Sequence, residues 1–178
     1  MKRVAFFSSG NLNALDVAIS SKIINPVLLV SNNDLKELAK LRNVSFLKYT
    51  DDASLILELE YQEIDFIILG GYNLLVSRNI FAKYPTYNIH HSLLPKFSGK
   101  GMYGYKVHEE VIKNNEKKSG FTIHRVVGGY DEGPIIFQKE VSVLNDNKFT
   151  LFNKISLLEK THLPEFFKKY LMFEELKV

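Results

Sequence analysis

Asp65-Phe66-Ile67-Ile68-Leu69 is a stretch of strand length, apolar after Asp65, and its reading decides the fold. Apolar residues at consecutive positions mean burial on both faces, which is how a central strand of a parallel sheet reads. Toward the N-terminus, short runs rich in β-branched and aromatic residues alternate with longer amphipathic ones. Residues 4–8, 26–30 and 45–48 read as strands, with helices at 12–22, 34–41 and 53–61. Repeated βα units of this kind make a doubly wound half-domain.

The texture changes beyond Ser77. A short helix ends at Tyr84, a strand spans 87–90, and a loop with Pro95, Gly99, Gly101 and Gly104 leads into a helix over 105–114. Strands predicted at 121–127 and 134–143 flank Gly128-Gly129-Tyr130-Asp131-Glu132-Gly133, a loop too long for a two-residue hairpin. The last helical region, 150–171, contains Pro164 and is expected to be kinked or divided there. No repeat, linker or low-complexity tract interrupts the chain, so residues 1–178 read as a single domain.

The bulk composition narrows the function classes. Lys and Arg number 23 against 20 Asp and Glu, far from the clustered charge of a nucleic-acid binder. The densest basic stretch, 113–118, is interleaved with Asn and Glu116 and reads as a solvated helix end. Cysteine is absent, so there is neither a disulfide framework nor a thiolate metal site. No stretch approaches the roughly 18 apolar residues of a membrane span, and no leader pattern opens the chain. The expectation is a cytoplasmic protein with small-molecule partners, no nucleic acid, no membrane and no metal; a homodimer is compatible with the sequence.

The chemistry-bearing residues sit beyond the central strand. Asn88 and His90 are two apart on a predicted strand, so their side chains share one face, at the carboxyl end where open α/β sheets bind ligands. Asp131 lies in the glycine-flanked loop and is free to fold back over that edge. An amide, an imidazole and a carboxylate in mutual reach can move an acyl group onto an amine. Singly, Asn-x-His reads as a structural histidine and Asp-x-Gly as a turn; the combination carries the signal.

Asn88-Ile89-His90-x-Ser92-Leu93-Leu94-Pro95, Gly120-x-Thr122-Ile123-His124 and Tyr130-Asp131-x-Gly133-x-Ile135-Ile136 together resemble the folate-dependent formyltransferase family. The resemblance implies a Rossmann-like open twisted α/β sheet, mostly parallel, with an antiparallel part toward the C-terminal half and helices on both faces. It also implies 10-formyltetrahydrofolate as co-substrate and an amine acceptor, with glycinamide ribonucleotide of purine synthesis the expected one. Asn88, His90 and Asp131 would then be catalytic: Asn88 donating to a tetrahedral oxyanion, His90 donating as an imidazolium, and Asp131 keeping that ring charged and passing a proton. By the same resemblance Tyr72, Asn73, Leu74, Leu75, Gly129 and Tyr130 would line the folate pocket. Asn11, Leu12, Asn13, Ala14 and Glu159 would meet the acceptor, with His108 and His124 in support.

The match has departures. Leu12-Asn13-Ala14 replaces a Gly-Ser/Thr-Asn phosphate triplet, Asn73-Leu74 replaces a Met-Arg pair in the pterin loop, and His91 stands where a small residue or Pro is usual, so a local loop role is expected of it. His108 either lines the pocket or faces solvent. The altered triplet keeps open another acceptor, such as a nucleotide-linked amino sugar, and a catalytically inactive folate- or nucleotide-binding module is a further alternative.

Overall fold

The structure, a computed structural model, describes residues 1–172 and holds a seven-stranded mixed sheet flanked by helices. Its strands are β1 Arg3–Phe7, β2 Asn25–Ser31, β3 Ser45–Lys48, β4 Phe66–Gly70, β5 Thr86–His90, β6 Lys118–Arg125 and β7 Ile135–Ser142. Their order is β3-β2-β1-β4-β5-β6-β7. The first five run parallel, and β6 and β7 are antiparallel. The helices are α1 Asn13–Ser21, α2 Lys36–Lys40, α3 Asp52–Tyr61, α4 Arg78–Phe81, α5 Tyr105–Lys113 and α6 Lys148–Phe166, followed by a π-helical turn, Phe167–Leu171.

The apolar run behaves as a central strand must. Phe66 and Ile68 enter one core and Ile67 and Leu69 the other, one on each side of the sheet. The first core packs against α1, α5 and α6, the second against α3 and α4. Because β1 has β2 on one side and β4 on the other, the winding reverses between β1 and β4, and a crevice opens at their carboxyl ends.

Two expectations change. Strand β6 starts at Lys118, three residues earlier than predicted, because Ser119 and Gly120 continue the pairing opposite Val141 and Glu140. Gly120 is a point of close approach: a Cβ there would lie 1.9 Å from the Lys139 carbonyl oxygen. Helix α6 is not divided at Pro164 but runs through it. Beyond Pro164 the helix widens into the π-helical turn, and Leu163, Phe166, Phe167 and Leu171, all fully buried, hold the segment in place.

Helix α6 also begins earlier, at Lys148, through a reciprocal cap. Asn147 Oδ1 accepts from the Phe149 and Thr150 amides, and Thr150 Oγ1 accepts from the Asn147 amide at 2.9 Å. Asn147→Ala is expected to cost about 1 kcal/mol, read as a lowered thermal midpoint with the folded-state circular dichroism unchanged.

Candidate active site

A cleft of about 570 Å³ occupies the crevice at the switch point, in the size range of small-molecule sites. Ser9, Gly10 and Asn11 before α1, Tyr72–Leu75, Gly128–Tyr130, and Phe152 and Glu159 on α6 line it, together with Asn88, His90, His124 and Asp131.

Asp131 is the hub of the polar floor. Its Oδ1 accepts from Asn88 Nδ2 at 3.1 Å and lies 3.3 Å from His90 Nδ1, and its Oδ2 accepts from the Gly99 amide at 2.8 Å. The loop reaches this position because Asp131 takes a left-handed backbone (φ 58°), which Asp tolerates better than most residues. Burial works to raise the Asp131 pKa, but His124, His90 and the Gly99 amide more than offset it, holding the carboxyl below its usual range.

The expected imidazolium is corrected. Burial lowers the His90 pKa below its ordinary value, and Asp131 and the Phe97 carbonyl do not recover it. His90 Nε2 lies 2.7 Å from the Phe97 carbonyl oxygen, which can only accept, so Nε2 carries the single hydrogen of the neutral ring. Nδ1 then faces Asp131 with its lone pair, two acceptors poised to capture one proton between them.

Asn88, expected to donate to an oxyanion, has its amide hydrogens engaged within the site. The Arg125 carbonyl takes His124 Nδ1–H at 3.1 Å, so His124 Nε2 accepts from Asn88 Nδ2 at 3.0 Å. The second Asn88 amide hydrogen goes to Asp131. Both donors are engaged, and reaching an oxyanion requires Asn88 to exchange one of them.

The outer residues divide. Tyr72 lines the cleft with its ring edge-on to Phe7 (5.4 Å), and burial raises its pKa. Asn73 turns toward the β1–α1 loop: its Oδ1 lies 2.8 Å from Ser9 Oγ, and Asn32 Nδ2 donates to it at 3.3 Å. Leu74, Leu75, Gly129 and Tyr130 line the cleft, as do Asn11 and Ala14. Leu12 does not; its side chain is packed in the core, and Asn13 lies outside the lining. Asn11 Oδ1 accepts from the Asn13 amide and Ser8 Oγ from the Gly10 amide, so part of the expected anion cradle is spent within the loop.

His91 departs most from expectation. It lines the cleft and places Nε2 2.5 Å from Glu159 Oε2, with Glu159 itself only 2% exposed. His108 is neither a lining nor a solvent-facing residue; it is fully buried behind His91, ring centroids 5.6 Å apart, and neither of its nitrogens has a partner. Sequence reasoning missed Ser9, Asn32, Phe97 and Gly99; only Gly99, a glycine in a turn-rich loop, left a signal.

Burial, with smaller contributions from His91 and His90, pushes the His108 pKa down to about 3. Above pH ~6.5 the ring is neutral folded or unfolded and contributes no pH dependence. Below it only the unfolded chain binds the proton, so stability falls by up to ~1.4 kcal/mol per pH unit until pH nears 3. Urea titrations from pH 7 to 4.5 should show this slope, steepened by His90, and His108→Phe should flatten it.

A carboxylate, an amide and an imidazole converge at the switch point of this sheet, and the chain belongs to the formyl transferase family, whose profile matches residues 2–167. The chain is similar to the chloroplastic phosphoribosylglycinamide formyltransferase of Vigna unguiculata, 46% identical over 84 residues, 46% of this chain and 27% of that protein. It is also similar to the methionyl-tRNA formyltransferase of Kosmotoga olearia, 37% identical over 108 residues, 59% of this chain and 33% of that one. The matches thus span a third or less of these relatives' own length. Among solved structures, phosphoribosylglycinamide formyltransferase from Bacillus halodurans superposes with a TM-score of 0.85 at 31% identity, covering 98% of this chain and 97% of that one.

Proposed function

We propose that this protein transfers the formyl group of 10-formyltetrahydrofolate to the amine of glycinamide ribonucleotide. The observation that carries the reading is the convergence of Asn88, His90 and Gly99 on Asp131 at the switch-point cleft. The near end-to-end match with the Bacillus halodurans enzyme supports this acceptor over methionyl-tRNA.

The amine nitrogen attacks the formyl carbon, and the carbonyl electron pair moves onto oxygen. Asn88 turns one N–H from Asp131 to that oxyanion. The proton released by the new ammonium is taken between Asp131 and His90 Nδ1, so the ring becomes an imidazolium only as the oxyanion forms beside it. Collapse restores the carbonyl, breaks the bond to folate N10 and returns the proton there. On this reading Tyr72, Leu74, Leu75, Gly129 and Tyr130 line the pterin side, and Asn11, Ala14 and Glu159 the acceptor side.

The test follows absorbance as the donor loses its formyl group, with glycinamide ribonucleotide, amino-sugar nucleotides or methionyl-tRNA as acceptor. Turnover with glycinamide ribonucleotide is expected. Turnover only with one of the others reassigns the acceptor, and binding without any turnover removes the catalytic reading.

A further inference from the structure

A hydroxyl that the formyl-transfer step does not use joins three loops at the carboxyl ends of the strands. Ser9 follows β1, Asn32 and Asn33 follow β2, and residues 71–73 follow β4. Ser9 grips the β4 loop at two residues. Its amide donates to the Gly71 carbonyl at 3.0 Å, and its Oγ accepts from the Asn73 amide at 3.1 Å and lies 2.8 Å from Asn73 Oδ1. The β2 loop completes the cluster: Asn32 Oδ1 lies 2.7 Å from Ser9 Oγ, Asn32 Nδ2 donates to Asn73 Oδ1 at 3.3 Å, and Asn33 Nδ2 donates to the Ser9 carbonyl at 2.7 Å. A hydroxyl has one hydrogen, so Ser9 shares it between two amide oxygens, and Asn73 Oδ1 draws on Ser9 and Asn32 together.

The β4 loop needs such an outside hold. Leu74 is 36% exposed and Leu75 53%, so burial alone fixes neither. The β1 loop also touches it directly: Gly71 has φ +69°, and a Cβ there would lie 3.0 Å from Asn11 Cβ. Ser9, Asn11 and Asn73 line the same cleft. A shift of either loop is therefore carried to the other through Ser9.

We propose that Ser9 and Asn73 form a clasp that positions the wall made by Tyr72, Leu74 and Leu75 for the formyl donor and, because Ser9 leads directly into Gly10 and Asn11, makes donor and acceptor affinities interdependent. This rests on the donor and acceptor reading above. Asn73 is a positioning residue: its side chain holds Ser9 and Asn32 through Oδ1, and its NH2 plays no part in the clasp to Ser9. A substrate seated against one loop fixes both, so the second substrate meets a wall already in place. The coupling is reciprocal: each substrate strengthens the other by the same factor.

The experiment measures the Kd of tetrahydrofolate, the donor without its formyl group, by titration calorimetry with and without saturating glycinamide ribonucleotide. The proteins are the unaltered chain, Ser9→Ala, Asn73→Ala and Asn73→Asp. Aspartate keeps an acceptor at the place of Oδ1 and removes the amide hydrogens. In the unaltered protein glycinamide ribonucleotide is expected to lower the Kd of tetrahydrofolate about ten-fold. In Ser9→Ala and Asn73→Ala that ratio falls toward one and the KM for the formyl donor rises about five-fold, the worth of one hydrogen bond. Asn73→Asp retains both values. A ratio of one in the unaltered protein, or a ratio unchanged in both alanine variants, overturns the clasp and leaves the acceptor reading intact. Equal losses in Asn73→Asp and Asn73→Ala overturn it too, because the NH2 would then be a direct ligand. Failure of glycinamide ribonucleotide to bind the unaltered protein overturns the acceptor reading, and the coupling with it. Should Ser9→Ala fail to fold by thermal unfolding, the two Asn73 variants decide.

Discussion

Asp131→Asn is expected to lower kcat by about 10²–10³-fold with KM for both substrates nearly unchanged. Asparagine matches the size of the carboxylate, but its amide offers no site for the proton released by the attacking amine. It also brings a donor among groups arranged to donate to Asp131: the Asn88 amide at 3.1 Å and the Gly99 amide at 2.8 Å. His90→Ala should cost a similar factor, because the ring nitrogen 3.3 Å away shares the captured proton. The two act as a unit, so the double variant should be about as slow as the slower single variant. Single-turnover rates that multiply instead would show that the carboxylate and the ring work independently.

The pH profile adds a sign. His90 accepts the proton in this mechanism, so it must be neutral, and its pKa lies below the ordinary value of ~6.5 because of burial. The plateau of kcat should therefore extend below pH 6.5 and fall only when the ring charges. A catalytic imidazolium would give the opposite trend, with the rate rising as pH drops through 6.5.

Gly133→Ala carries the second large effect. Gly133 has φ +119°, and a Cβ there would lie 1.9 Å from the Arg125 carbonyl oxygen. No side-chain adjustment relieves a clash with backbone, so the Asp131 loop must shift away from β6. The Arg125 amide, now bonded to the Pro134 carbonyl at 3.0 Å, is pulled with it. Loss of kcat by about 10²-fold is expected, the scale of losing one positioned catalytic contact. The described fold stays intact, because the loop lies at the rim. Gly120→Ala provides the contrast. The clash there is with Lys139 and Glu140 backbone in the middle of the β6–β7 pairing. It should cost about 3 kcal/mol or more of stability. Chemical denaturation separates the two outcomes.

Much of the fold and part of the site were legible in the sequence, and where they were not, the reason is physical. The run at Phe66–Gly70 announced a doubly buried strand, because apolar side chains at consecutive positions leave neither face of a strand for solvent. Asn88 and His90 were legible through strand periodicity. Asp131 was legible only as part of a motif, since a contact across 43 residues has no local signature. The charge of His90 was misread because its burial, which outweighs the neighbouring Asp131, has no signature in the local sequence. His91 was misread for a related reason: its partner Glu159 lies 68 residues away on another element. Gly120 and Gly133 look alike in sequence to the turn glycines at 99 and 101; only the neighbouring backbone distinguishes a turn from a close approach.

The pairing of β5 with β6 places Asn88 directly opposite His124. From there a single backbone oxygen propagates a constraint: the Arg125 carbonyl obliges one end of the His124 ring to donate, which obliges the other end to accept, which obliges Asn88 to present its NH2 toward Asp131. No member of this series can change alone. A carboxylate at 88 would set acceptor against acceptor at two contacts, and a ring without its second nitrogen at 124 would release the amide to rotate. The donor order at 88 and 124 is therefore set jointly, and neither side chain can be replaced without disturbing the other.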